Sequence, residues 1–202
     1  ASAPKGAKVL GEVHSAPIED LVANMLEVSD NVLAEAVGRE VARATGNEPS
    51  FDGATTAVLN TLRRNGLDTT GATMADCSGL STQDRLPARL LASILAASTR
   101  TGTDDVRTAK LRPMLTGLPV AGGTGTLDES HDRFQGSANS SGRGYVQAKT
   151  GTLTGVSTLA GVVLDSDDRV LVFAMMSNGS VPAEARPALD AIATRLRECG
   201  CS

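Results

Sequence analysis

The apolar positions of this chain switch period twice along its length. Between residues 18 and 98 they recur at helical spacing. Ile18, Leu21, Val22, Met25 and Leu26 form one face after Pro17, so a helix is expected there. Ser29-Asp30-Asn31 interrupts the face. A second helical run follows with Leu33, Val37 and Val41 inward and ends near Gly46. Asp52 to Asn65 reads as a third helix closed by Gly66, and Leu86 to Ser98 as a fourth on Leu90, Leu91, Ile94 and Leu95. Ahead of them Lys8 to Val13 alternates weakly and reads as a strand.

The second half carries a different rhythm. Gly117 to Gly144 is rich in glycine and poor in large apolar residues, which predicts a long loop region. From there Tyr145 to Lys149, Ser157 to Leu164 and Arg169 to Met176 read as strands. The last two are joined through Asp165-Ser166-Asp167-Asp168 as a hairpin. Pro182 to Glu198 is the final helix, with Leu189, Ile192, Ala193 and Leu196 on one side. The fold class this implies is α/β of the α+β kind, an antiparallel sheet flanked by helices.

Composition narrows the function. With 202 residues, 41% hydrophobic and 21% charged, the chain suits one soluble domain with a sizeable core. A net charge of −4 and 2% aromatics leave no basic patch and no stacking platform, so nucleic acid is not an expected partner. No apolar stretch is long enough to span a bilayer. Residue 1 is Ala, and no leader pattern follows it; a signal peptide is expected to have been removed or to lie upstream. Cys77, Cys199 and Cys201 lack zinc spacing, so no metal and no cofactor is expected. A bridge from Cys77 to one of the other two and three plain thiols both stay open.

Two polar triplets stand out. Lys149-Thr150-Gly151 places a cation, a hydroxyl and a bare backbone in a row, here at the predicted end of a strand. Lys149 with the hydroxyls of Thr150 and Thr152 suits an anion, and Gly151 lets a substrate backbone lie close to the sheet edge. Ser29-Asp30-Asn31 sits between helices, where such residues also serve as caps. A hydroxyl and an amide two residues apart suit proton transfer and a grip on a peptide bond. Either triplet alone is a weak signal; their order and local contexts agree with each other.

Those triplets resemble two of the three signatures of penicillin-recognising serine enzymes. Val28 to Glu35 and Ala148 to Val156 are similar to the D-alanyl-D-alanine carboxypeptidase/endopeptidase family, the class C low-molecular-mass penicillin-binding proteins of peptidase family S13. Ser15-Ala16-Pro17-Ile18, Asp76-Cys77-Ser78-Gly79-Leu80-Ser81, Leu118-Pro119-Val120-Ala121-Gly122 and Gly125-Thr126-Leu127 resemble further family segments, so the likeness runs from about Val9 to Gly179. It implies a penicillin-binding-protein/β-lactamase-like transpeptidase fold, incomplete here, with residues 1–202 as its C-terminal part.

The third signature, the Ser-x-x-Lys that carries the nucleophile, has no convincing counterpart. Ser2-Ala3-Pro4-Lys5 fits the letters, but Pro4 and Gly6 oppose the helix start the motif needs. The resemblance therefore implies a partner, an upstream segment or separate chain bearing the nucleophile. The other partners it implies are peptidoglycan stem peptides and β-lactams, outside the cytoplasm in periplasm or cell wall. By the same resemblance Ser29 would relay a proton, Asn31 hold a substrate amide, and Lys149 tune the site and hydrogen-bond to Ser29. Thr150 and Thr152 would face the terminal carboxylate, and the Thr152 N–H would be one half of an oxyanion hole. The chain alone is expected to be inactive.

His14 and His131 are expected to be non-catalytic, and nothing around Ser78 reads as a nucleophile elbow. Gly122-Gly123-Thr124-Gly125 lacks the flanking strand and helix of a phosphate loop. Rival readings are a class A β-lactamase, for which no deacylating-glutamate segment is found, a non-catalytic module binding cell-wall peptides, and a purely structural domain.

Overall fold

Local chemistry sets the helix boundaries. In a computed structural model, which describes residues 2–100 and 110–200, Pro17 precedes α1 (Ile18–Val28). Asp30 caps α2 (Asn31–Ala44) by accepting from the Leu33 N–H at 2.9 Å. Ser50 caps α3 (Phe51–Arg64) through Gly53 N–H at 3.1 Å. The fourth helix begins later than its apolar pattern suggests: α4 is Ala88–Thr99. Pro87 takes an extended ψ of 136° as the residue before the first turn and holds Leu86 outside the helix. A short α5 (Pro113–Thr116) follows. Cys201 lies outside the described residues.

Three antiparallel strands run in the order β1-β2-β3: β1 (Val146–Leu153), β2 (Val156–Leu164) and β3 (Val170–Asn178). The predicted hairpin is there. Asp165, fully buried, accepts from the N–H groups of Asp167 and Arg169 at 2.9 and 2.8 Å and so fixes the turn. The first strand, however, does not stop at Lys149. Thr150, Gly151, Thr152 and Leu153 pair with Leu159, Thr158, Ser157 and Val156, and the chain reverses at Thr154-Gly155. β-Branched residues with a partner strand available continue the ladder, so the Lys-Thr-Gly triplet lies inside β1.

The sheet is sandwiched between helices. On one face α6 (Pro182–Glu198) sets Leu189, Ala193 and Leu196 against Val146, Ala148, Leu159, Val163 and Phe173. On the other, α4 and α5 bring Leu91, Leu95, Met114 and Leu115 onto Ala160, Val172 and Ala174. Strand alternation therefore sends Lys149 and Gly151 to the α4 side, and Thr150 and Thr152 to the α6 side. α2 and α3 pack through Ala42, Ala54 and Ala57. Cys77 is a free thiol beside Gly38, where a Cβ would strike its sulfur, so no bridge from Cys77 is formed.

Two expectations fail. Lys8 to Val13 is not a strand: no regular element covers it, and Val9, Leu10 and Val13 are 76%, 95% and 96% exposed. A strand needs a paired neighbour, and no described strand lies against this one. Gly117 to Gly144 is not a loose loop either. Three short 3-10 turns (Gly125–Leu127, Glu129–His131, Ser137–Gly142) organise it, and Leu127 and Phe134 are fully buried. Its anchor is a buried ion pair, with Arg133 Nε and Nη2 donating to Asp190 of α6 at 3.0 and 2.5 Å. Asp190 also accepts from the Phe134 N–H at 3.0 Å.

Candidate active site

The site is built where the α1–α2 corner meets β1. Helix α1 ends on Ser29, whose φ of 58° and ψ of 49° lie in the left-handed region. Glycine is the usual residue at such a helix end, and a serine held there is a strained choice that points to a use for its hydroxyl. The turn leads straight into the Asp30 cap, so one backbone reversal serves both helices and projects Ser29 toward the sheet.

Across 120 positions of sequence, Lys149 Nζ donates to Ser29 Oγ at 2.8 Å, and also to the Thr150 carbonyl at 2.8 Å. Ser29, Thr126, His131, Arg133, Thr150, Gly151, Thr152 and Arg186 line one cleft of about 230 Å³. Asn31 is exposed at the first position of α2 and is not among the cleft walls. Gly151 has a reason inside the sheet: a Cβ there would run into Thr158 Oγ1 of β2.

Hydrogen bonding sets the polarity of the hydroxyls. Thr126 Oγ1 lies 2.8 Å from Thr150 Oγ1, and Arg186 Nη2 donates to Thr152 Oγ1 at 3.2 Å. A hydroxyl that accepts from a neighbour keeps its own proton for another acceptor. Ser29, accepting from Lys149, and Thr152, accepting from Arg186, are thus set up to donate into the cleft.

Burial pushes the Lys149 ammonium down to about 8. No carboxylate among the described residues forms an ion pair with it to offset the loss of water. An amine with that value exchanges a proton near neutrality. The shift also bears on stability. The unfolded lysine titrates near 10.5, so below pH about 8 both states are charged and the folded state carries the full cost. That cost fades as pH rises from about 8 toward 10.5, and its size is about 3 kcal/mol. Lys149→Met is accordingly expected to stabilise the chain by about 1–3 kcal/mol near pH 6, with the gain shrinking toward pH 10. Urea unfolding at both pH values checks this; a variant less stable than the parent at pH 6 contradicts it.

Four cleft residues are absent from the sequence reading's site. Thr126 has a signal in the sequence, since it lies in the family-like segment Gly125-Thr126-Leu127. Arg133 and Arg186 had none, because only the docking of the 3-10 region and α6 on β1 brings them in. His131, expected to be non-catalytic, forms part of the wall, with Nδ1 2.7 Å from Asp128 Oδ1. His14 is exposed and pairs with Glu12 at 3.2 Å. The Asp76–Ser81 segment is a pinned turn. Asp76 accepts from the N–H groups of Gly79 and Ser81 at 2.6 and 2.7 Å, and Glu35 of α2 accepts from those of Cys77 and Ser78, both at 2.8 Å. Ser2 and Lys5 lie on no helix.

This fold has counterparts among solved structures of penicillin-binding proteins. Two structures of penicillin binding protein 4 from Haemophilus influenzae, one complexed with a β-lactam, superpose with TM-scores of 0.72 and 0.71 at 27% identity. Each match covers 91% of this chain and 39% or 40% of the other. A carboxypeptidase from Mycobacterium tuberculosis is 46% identical over 100% of this chain, and a carboxypeptidase from Mycolicibacterium smegmatis 44% identical over 99%. The D-Ala-D-Ala carboxypeptidase 3 (S13) family matches residues 1–199. The chain belongs to that family. It spans 42% of the length of either carboxypeptidase. Among the described residues no helix is long and apolar enough to cross a membrane.

Proposed function

We propose that these 202 residues are the substrate-gripping and proton-relaying part of a serine D-alanyl-D-alanine carboxypeptidase/endopeptidase. It acts outside the cytoplasm on peptidoglycan stem peptides through an acyl-enzyme. The observation that carries this reading is the 2.8 Å contact between Lys149 Nζ and Ser29 Oγ, at the rim of a cleft that also presents Thr150 and Thr152.

The nucleophilic serine and its lysine belong to polypeptide outside these residues, an upstream segment or a separate chain. That serine attacks the carbonyl of the penultimate D-Ala, and D-alanine leaves as an amine. Ser29, oriented by Lys149, hands the departing nitrogen its proton. Asn31 holds a substrate amide. Thr150 and Thr152 receive the terminal carboxylate, and the Thr152 N–H supplies one donor to the oxyanion, worth about 3 kcal/mol in comparable sites. Water then releases the acyl group. β-Lactams acylate the same completed site.

The test is release of D-alanine from an acyl-D-Ala-D-Ala peptide, by the chain alone and by the chain joined to the Ser-x-x-Lys polypeptide. Release only by the joined form is the expected result. A joined form that binds the peptide without turning it over would make this a non-catalytic wall-binding module instead.

A further inference from the structure

Helix α1 ends on Ser29, yet none of its own residues is fully buried. Contacts other than a core must set where its last turn lies. They come from the stretch Gly117 to Leu127, which meets α1 through two glycines. A Cβ at Gly117 would lie 2.5 Å from the Ala23 Cα and 2.8 Å from the Ala23 carbonyl oxygen. A Cβ at Gly125 would run into the Glu27 carbonyl and lie 3.1 Å from Pro119 Cγ. Ala23 and Glu27 stand four residues apart, on one face of the helix. Backbone therefore rests on backbone at two points one turn apart, an approach that glycine allows and a side chain blocks. Ser29 follows two residues after the second point.

The same stretch is tied to β1 on both sides of Lys149. The Ala148 N–H donates to the Pro119 carbonyl at 2.9 Å, and Thr150 Oγ1 lies 2.8 Å from Thr126 Oγ1. The Ala121 N–H adds a bond to the Val146 carbonyl at 2.9 Å. Leu118 and Leu127, near its two ends, are buried, which anchors it in the core. One strap thus runs from the helix that carries the serine to the strand that carries the lysine. The 2.8 Å between Lys149 Nζ and Ser29 Oγ is the spacing it sets.

We infer that Gly117 and Gly125 are positioning residues of the Ser29–Lys149 pair: lacking side chains, they seat α1 directly on this strap and fix how far the serine stands from the lysine. The inference rests on the acyl-transfer reading for what the pair does, and adds the residues that hold it at working distance. A methyl group at either glycine lifts the last turn of α1 from β1 and opens the pair to water. Thr150 and Thr152, which belong to β1, stay where they are.

Titration of the lysines separates this from the catalytic reading, because it requires no turnover. Isotope-labelled lysine Cε, followed by NMR, reports Lys5, Lys8, Lys110 and Lys149, and Lys149→Met assigns the last of them. In the parent chain Lys149 is expected to titrate at about 8. Gly117→Ala and Gly125→Ala should raise that midpoint toward 10.5, since water returns to the ammonium. Gly144→Ala is the control. Its φ of 77° strains alanine as the 56° of Gly125 does, but nothing lies within 4 Å of the added methyl, so its midpoint should match the parent's. In the chain joined to its nucleophile-bearing polypeptide, the two crowded variants should lose about 100-fold in kcat, as a displacement of about 1 Å costs, with KM little changed. A parental Lys149 midpoint in both variants overturns the inference, and so does an equal rise in Gly144→Ala. A parent chain whose Lys149 already titrates near 10.5 overturns it too, the pair then being open without any added methyl. Should Gly125→Ala fail to fold, Gly117→Ala decides, because its φ of −91° suits alanine. A chain that folds with neither alanine also overturns the inference, since the glycines would then hold up the fold and not the pair. The titration gives its answer whether or not the joined form releases D-alanine.

Discussion

Ser29→Ala, placed in the chain joined to its nucleophile-bearing polypeptide, lowers D-alanine release by about 10²- to 10⁴-fold, the usual contribution of one positioned proton donor. Lys149 Nζ then loses its partner at 2.8 Å, and in the proposed mechanism the leaving amine loses its proton source. The position offers a control. Ser29 holds a φ of 58°, a conformation that alanine tolerates poorly and glycine freely. Ser29→Gly should therefore unfold at a higher denaturant concentration than Ser29→Ala, by up to about 1 kcal/mol in stability, yet be equally inactive. Two variants of different stability and the same activity separate the hydroxyl's chemistry from the corner's geometry. A Ser29→Gly enzyme that keeps parental turnover would remove Ser29 from the mechanism.

Asp190→Ala is the substitution expected to destabilise the chain most. Arg133 and Asp190 have side chains 5% and 2% exposed, and Asp190 also takes the Phe134 N–H. Removing the carboxylate strands a buried guanidinium and orphans a buried N–H, together about 3–5 kcal/mol. In a chain of this length that is a fall of roughly 10 °C in melting temperature. The cost falls on the site as well, because Arg133, Thr126 and His131 are all held by this segment against β1. Replacing both partners, as Arg133→Met with Asp190→Leu, should recover most of the stability, since no charge is then buried alone. Thermal unfolding of the three forms decides it; an Asp190→Ala chain melting within 2 °C of the parent, a margin of about 1 kcal/mol or less, would mean the pair is not the anchor.

How much of this was legible beforehand follows from the range of the forces involved. The helices of the first half, the β2–β3 hairpin and the α6 boundaries follow from local signals: apolar spacing, prolines at helix starts, and an acidic turn. Lys8 to Val13 misled because alternation gives a propensity and not a partner. β1 ran past Lys149 because pairing with β2, a non-local fact, extended it. The glycine-rich region looked loose because its anchor, Arg133, finds Asp190 far along the chain on another element. The two triplets could be noticed by their chemistry. That Ser29 of one triplet and Thr150 and Gly151 of the other line one cleft, and that Thr126 and Arg186 hydrogen-bond to its hydroxyls, is written only in the packing of α6 and the 3-10 turns on β1.

The most direct test of the central claim, that this cleft is a serine acyl-transfer site lacking its nucleophile, is the intact mass after exposure to a penicillin. The chain alone should keep its 20.7 kDa mass, and after mixing with the Ser-x-x-Lys polypeptide the penicilloyl adduct should appear on that polypeptide only. A penicilloyl adduct on any serine of these 202 residues would contradict the account.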